Sequence, residues 1–220
     1  MENPACKTLS KAASILGLTL GKRELSLFER YHQELIFWNK KMSLLSTKAL
    51  DDIWAKHFLD SLAPIPFIAN KGCHVLDIGA GAGFPGIPIK IAVPSLKVSL
   101  LEASRKKVSF LKHVIRTLAL QEIHVIHRRL EKLLEEPPPV LFDTVISRAT
   151  LKLPRFIQAG GTLVVKDGLL IAMKGPNIEE ERLAAQLPLD QWGLAFLDCY
   201  DIHLPLTGIP RKIMVYQKVG

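Results

Sequence analysis

The sequence predicts an α/β fold: a mostly parallel sheet with helices on both faces, preceded by a helical extension. Three observations predict it. From about residue 73 onward, short apolar runs alternate with stretches whose apolar residues recur every three or four positions, the signature of βαβ units. The first apolar run ends in Gly79, Gly81 and Gly83, where a chain turns sharply from strand to helix. Before residue 70 only the helical period is present. The chain is 220 residues long, 48% hydrophobic and 23% charged, enough for one domain with an extension.

In order, residues 22–42 place Leu25, Phe28, Tyr31, Leu35, Trp38 and Met42 on one helix face. Residues 51–62 repeat the pattern with Ile53, Trp54, Phe58 and Leu62, stripes that read as core rather than as base-stacking platforms. Residues 1–70 are therefore assigned to a helical region and 71–220 to the sheet domain. Residues 73–78 form a buried strand, and 85–92 a helix with Pro85 in its first turn. Residues 97–101 are a second strand ending at Glu102. Ser104 is placed to cap a helix running to about residue 120, with Val108, Leu111, Ile115 and Leu118 as its apolar stripe. Further strands are expected at 123–126, 142–146, 169–173 and 213–216, and a helix at 179–186. Pro137-Pro138-Pro139 reads as a stiff loop. In such sheets ligands bind beyond the C-terminal strand ends, near the point where strand order reverses.

Charge narrows the partner. Twenty-nine Lys and Arg against 21 Asp and Glu leave a net +8, which points to a polyanion: nucleic acid or an anionic membrane surface. No apolar run approaches the ~18–20 residues of a membrane span, and the first 21 residues lack the apolar segment of a secretion signal. Cys6, Cys73 and Cys199 are odd in number and dispersed, so neither a disulfide framework nor a zinc site is expected, and no metal. Reduced thiols in a cytoplasmic protein are the expectation. Two basic groups stand out: Arg105, Lys106, Lys107, Lys112, Arg116, Arg128, Arg129 and Lys132, and then Lys40, Lys41, Lys48 and Lys56. Such groups near a ligand-binding edge suit RNA phosphates; for Lys112 and Arg116 a solvated helix face is the plainer reading. No basic amphipathic anchor is present, so no membrane partner is expected.

The stretch from Asp77 to Gly86 carries the most chemistry. Glu102 follows Gly79 by 23 residues at the end of the next strand, where a carboxylate can accept both hydroxyls of a ribose. Gly81-x-Gly83-x-x-Gly86 matches the dinucleotide pattern formally. It starts two residues late, however, and Pro85 crowds the turn a pyrophosphate would occupy. Asp77-x-Gly79-x-Gly81-x-Gly83 fits S-adenosylmethionine better. That cofactor has no phosphate, and Asp77 suits its sulfonium and amino groups directly or through water. A dinucleotide-dependent oxidoreductase stays the second reading, and a plain packing turn the third.

At these residues the chain resembles the bacterial ribosomal RNA small-subunit methyltransferase G family, also called glucose-inhibited division protein B. The resemblance spans residues 23–218. It rests on Trp38-Asn39-Lys40-Lys41, the block from His57 to Leu62, the loop from Asp77 to Gly86 with its Pro-Gly-Ile-Pro continuation, Ser147-Arg148-Ala149, and Met173-Lys174-Gly175. It implies a Rossmann-like class I S-adenosylmethionine-dependent methyltransferase fold and transfer of methyl to N7 of one guanine of 16S ribosomal RNA. It also implies that Gly79 and Phe84 line the cofactor pocket, Glu102 holds the ribose, Ala103 and Ser104 lie beside the adenosine, Leu130 and Glu131 flank the adenine, and Arg148 is a cofactor-site arginine. Two departures stand out. The family usually has Asn-Leu-Thr where this chain has Ser43-Leu44-Leu45, and Ala where it has Leu130.

Guanine N7 carries a lone pair and no proton, so no general base is required. A single in-line displacement is expected, with catalysis coming from alignment. Asn39, His57, Asp60, Arg148 and Lys174 are the candidate positioning groups. Each has a plainer reading, such as a half-buried helix histidine for His57, a turn cap for Asp60 or a solvated strand-end lysine for Lys174. The expected partner is small-subunit ribosomal RNA, free, within a subunit or in an assembly intermediate, with the enzyme a monomer. A non-catalytic RNA-binding or division-associated protein on the same fold is the second rival, and a small-molecule methyltransferase, which leaves the basic groups unexplained, is the third.

Overall fold

The computed structural model describes residues 3–68, 73–136, 140–186 and 189–220. The triple proline and the expected boundary between residues 70 and 71 lie outside the described residues.

Among the described residues seven strands form one sheet: β1 (His74–Ile78), β2 (Lys97–Glu102), β3 (Ile123–His127), β4 (Phe142–Arg148), β5 (Val164–Lys174), β6 (Leu194–His203) and β7 (Pro210–Lys218). Their order is β3-β2-β1-β4-β5-β7-β6. The first five run parallel, while β7 is antiparallel to both neighbours. The short link between β6 and β7 permits only an antiparallel pair, since a parallel return needs a long crossover. This reversed strand departs from the 3-2-1-4-5-6 order of the dinucleotide fold. Strand order reverses at β1, which lies between β2 and β4.

The helices are α1 (Pro4–Ile15), α2 (Lys22–Met42), α3 (Thr47–Asp51), α4 (Asp60–Leu62), α5 (Gly86–Ala92), α6 (Arg105–Thr117), α7 (Leu130–Glu135), α8 (Leu153–Leu163) and α9 (Glu179–Gln186). A π-helical turn, Trp54–Leu59, runs straight into α4, so the single helix expected over 51–62 is three pieces.

Alternation along β1 sorts two cores. Val75 faces Leu9, Phe28, Tyr31, Leu35, Phe58 and Ile87 in one cluster. Leu76 and Ile78 face Phe156, Ile157 and Leu163 in the other. The N-terminal helices thus complete one face of the sheet. Trp38 packs edge-on against Phe110, in keeping with a core role.

Among the described residues α1, most of α3, α7, α8 and β6 were not legible. The stripe of α1 is Cys6, Leu9, Ala12 and Ala13, mostly too small to register as a period. Helix α7 is only six residues long. Gly160-Gly161 disguises α8, yet a Cβ at Gly160 would sit 2.5 Å from Leu170 Cδ2, so the glycine lets the helix lie close on the sheet. Strand β6 is mostly exposed and bulged between Phe196 and Asp198, which breaks its alternation. Strand β5 begins at Val164 rather than residue 169, because Asp167-Gly168 interrupts its pattern without ending the strand.

Candidate active site

The β1–α5 loop is built by glycines in the left-handed region: Gly79 (φ 76°), Gly81 (61°) and Gly83 (101°). Its start is tied to β2, since the N–H groups of Gly79 and Ala80 both donate to the Leu101 carbonyl, at 2.9 and 3.0 Å. Tyr31, buried on α2, donates its hydroxyl to the Ala82 carbonyl. A Cβ at Gly79 would fall 2.4 Å from Thr150 Cγ2, and the Thr150 hydroxyl donates to the Gly79 carbonyl at 3.2 Å. Gly79→Ala therefore meets both backbone strain and a clash. It is expected to cost about 1–3 kcal/mol in urea unfolding; an unchanged midpoint would contradict this packing.

Asp77 does not reach the ligand-binding space. It is fully buried on the β1 face that α5 covers, and Oδ2 accepts the Gly86 N–H at 2.9 Å. Burial pushes its carboxyl up to about 7, against the opposing pull of that N–H and of Arg148. The expectation of direct contact between Asp77 and the sulfonium end gives way to a brace beneath the loop. The glycine motif fixes the residue but not the face of the strand it points from.

Above the loop lies a cleft of about 590 Å³. Gly79, Gly81 and Phe84 floor it, with Glu102, Ala103, Leu130, Glu131 and Arg148 around them. Glu102 accepts from Gly81 N–H on Oε2 at 2.9 Å and from Ser104 N–H on Oε1 at 2.7 Å. Each oxygen keeps a lone pair. Gly83 and Ser104 are not in the cleft wall. Gly83 faces Ile87 and Tyr31, and the Ser104 N–H serves to hold Glu102.

A second cleft, of about 430 Å³, opens beside the first. Lys56, His57, Asp60, Lys174 and Arg211 line it, and Arg148 alone, among the described residues, lines both. The π-helical turn explains the convergence: its widened backbone aims the Lys56 carbonyl, His57 and Asp60 at one point. Arg148 donates to His57 Nδ1 at 2.8 Å, to Lys56 carbonyl at 3.2 Å and to Asp60 Oδ2 at 3.3 Å. Its guanidinium lies 5.1 Å from the Phe84 ring centroid. Asp60 Oδ1 accepts from Arg211 at 2.9 Å. Lys174 donates to the Leu151 carbonyl and to Glu181, at 2.6 and 2.8 Å. Asn39 lines neither cleft; its Oδ1 accepts the Leu45 N–H at 2.7 Å.

Arg211, Leu44, Leu45, Thr150 and Leu151 are among the wall residues that sequence reasoning missed. Arg211 is the second residue of β7, and in an antiparallel strand the first residues lie at the same sheet edge as the last residues of its parallel neighbours. Reading β7 as reversed is the signal that finds it.

His57 is neutral. Burial, then the charges of Arg148, Arg211 and Lys56, push its imidazole down to about 4. Unfolded, it titrates near 6.5, so between those values the unfolded chain binds the extra proton and stability falls as pH drops. His57→Gln keeps an acceptor for Arg148 and is expected to lose less stability than the parent between pH 6.5 and 4.5. Parallel losses in urea titrations would contradict the assignment.

With this geometry in view, the relatives are informative. The family model for rRNA small subunit methyltransferase G matches residues 24–191. The chain belongs to the rRNA small subunit methyltransferase G family. A family relative from Syntrophus aciditrophicus is 44% identical over 97% of this chain and 89% of its own length. One from Geotalea uraniireducens is 39% identical over the whole of both chains. Among solved structures, TrmN from Thermus thermophilus superposes with a TM-score of 0.59 at 14% identity, covering 76% of this chain and 53% of that one. M. jannaschii TYW2, solved in complex with AdoMet, gives 0.55 at 18% identity, covering 70% and 73%. These structures show the fold, a Rossmann-like class I methyltransferase sheet. In this member of the methyltransferase G family the glycine loop, Glu102 and Arg148 stand at the C-terminal strand ends, where the fold binds its ligands.

Proposed function

We propose that the chain transfers a methyl group from S-adenosylmethionine to N7 of a guanine in small-subunit ribosomal RNA. The observation that carries this reading is Arg148, shared by a cleft in which two backbone N–H groups fix Glu102 and a cationic cleft beside it. The first cleft fits the cofactor. Its volume suits a nucleoside-sized ligand, Glu102 offers lone pairs for a ribose diol, and Leu130 and Ala103 give an apolar slot for an adenine. Gly81 leaves the loop backbone open, since a Cβ there would meet nothing nearer than 3.8 Å. S-adenosylmethionine, when bound, supplies a methyl group already activated on a cationic sulfur.

The second cleft suits the guanine edge that carries N7. That edge also presents O6, an acceptor, and Lys174, Arg211 and Arg148 are donors. No residue there needs to take a proton, because N7 has none, and a neutral His57 engaged by Arg148 agrees with that. Residues 1–70 supply Lys56, His57 and Asp60 to this substrate side, beside Arg148, Lys174 and Arg211 from 71–220; apart from Leu44 and Leu45, the cofactor side comes from 71–220. Lys107, Arg128 and Arg129 line the first cleft, placed for RNA phosphates. RNA affinity is expected to fall steeply with salt, by about 0.7–0.9 log units per contact per tenfold salt; a flat response would remove the electrostatic footprint. Among the described residues no helix is long and apolar enough to cross a membrane, and a ribosomal substrate places the enzyme's work in the cytoplasm.

Tritiated methyl from S-adenosylmethionine is expected to enter small-subunit ribosomal RNA taken from cells lacking the protein. No incorporation, into either free RNA or subunits, would favour a non-catalytic RNA-binding role instead.

A further inference from the structure

The joint between α2 and α3 reaches the first cleft. Leu44 and Leu45 stand in its wall, and among the described residues before Ile78 they alone do so. Both are apolar, so the N-terminal region offers this cleft carbon surface and no side-chain donor or acceptor. The joint is pinned at both ends. Asn39, in the last turn of α2, accepts the Leu45 N–H on Oδ1 at 2.7 Å, and its carbonyl accepts the Ser43 N–H at 3.1 Å. Ser46 caps α3, its hydroxyl oxygen accepting the Ala49 N–H at 3.2 Å. Between these ties Ser43 is held at φ 51°, a left-handed conformation that a non-glycine residue adopts only when its surroundings enforce it. Leu44 is buried in the same apolar cluster as Phe84, and Leu45 packs against that cluster. The pair is a fixed wall, not a loose tether.

We infer that Leu44 and Leu45 close the cofactor cleft against water, and that Asn39 is a positioning residue acting through them on the cofactor rather than on the RNA. The inference rests on the S-adenosylmethionine reading above. Two leucine side chains add apolar contact to a bound nucleoside and displace water from the cleft, which favours binding roughly in proportion to the area covered. Without the Asn39 tie, the Leu45 N–H loses its acceptor and the strained Ser43 is free to relax, carrying both leucines out of register.

The test is calorimetry of the full chain with S-adenosylhomocysteine, alongside melting curves and KM for RNA. N39A and L45A are each expected to weaken binding about five- to tenfold with KM for RNA unchanged. N39D, which keeps the acceptor oxygen, and L45M, which keeps the bulk, are expected to bind within about twofold of the parent. Unchanged affinity in N39A and L45A would overturn the inference, as would equal losses in N39D and L45M, which would assign the effect to folding. A raised KM for RNA with unaltered S-adenosylhomocysteine affinity in N39A would move Asn39 to the substrate side and overturn it too. A parent chain that does not bind S-adenosylhomocysteine would instead bring down the cofactor reading, a result visible before any variant is made.

Discussion

Arg148→Lys is expected to lower kcat for methyl transfer to ribosomal RNA by about 10²–10³-fold, with a much smaller change in affinity for S-adenosylmethionine. The guanidinium fork meets three acceptors at once, on Lys56, His57 and Asp60, while its face lies against Phe84. A lysine ammonium is a point donor on a flexible stem and reproduces one such contact at a time. The loss falls on alignment between the two clefts, where a displacement of about 1 Å is worth roughly 10²-fold. Arg148→Ala should do more. The Arg148–Asp60 pair is well buried, with side-chain exposures of 15% and 5%, so removing the cation leaves Asp60 with Arg211 as its one ion-pair partner among the described residues. Breaking a buried pair in this way costs up to about 3–5 kcal/mol, the Arg211 contact holding the figure toward the lower end. Single-turnover rates separate the two variants, and urea unfolding measures the stability cost. A lysine variant within threefold of the parent rate would show that Arg148 is structural only.

Glu102→Gln is expected to raise KM for S-adenosylmethionine by about 30- to 100-fold, with kcat at saturating cofactor changed far less. Both carboxylate oxygens accept backbone N–H groups, from Gly81 and Ser104. An amide keeps the size but must turn its NH2 toward one of those donors, so one tie becomes a donor facing a donor. Hydrogen bonds to a charged group are worth about 1.5–3 kcal/mol each, and the disturbed tie holds either the glycine loop or the start of α6. The same substitution removes the charge that a ribose diol would meet. Equal KM values in variant and parent would mean that Glu102 serves the loop alone and that the ribose lies elsewhere.

How far the site was legible differs residue by residue. Glu102 could be read because a strand-end acid after a glycine turn has one geometric consequence: it points into the cleft at the strand ends. Arg148 could be read through its neighbours, Ser147 and Ala149, as a family block. Asp77 sits in the same motif, yet its side chain faces the α5 side of β1; a five-residue strand with both faces buried shows no alternation from which to tell its direction. Lys174 and His57 were named without their partners, because Glu181 and the π-helical turn have no sequence period that announces them. Asn39 reads from the sequence as a positioning group, whereas its carboxamide oxygen is taken by Leu45, three residues beyond its own helix. The sheet was legible wherever strands were buried and continuous. It was not where exposure or a glycine pair erased the period, as in β6 and α8.

The most direct measurement is a map of N7-methylguanine in 16S ribosomal RNA by reductive strand scission, with and without this protein. The account predicts that one N7-methyl mark disappears without it, returns when the parent chain is supplied, and does not return to full level with Arg148→Lys. Persistence of every N7-methyl mark in its absence would contradict the account.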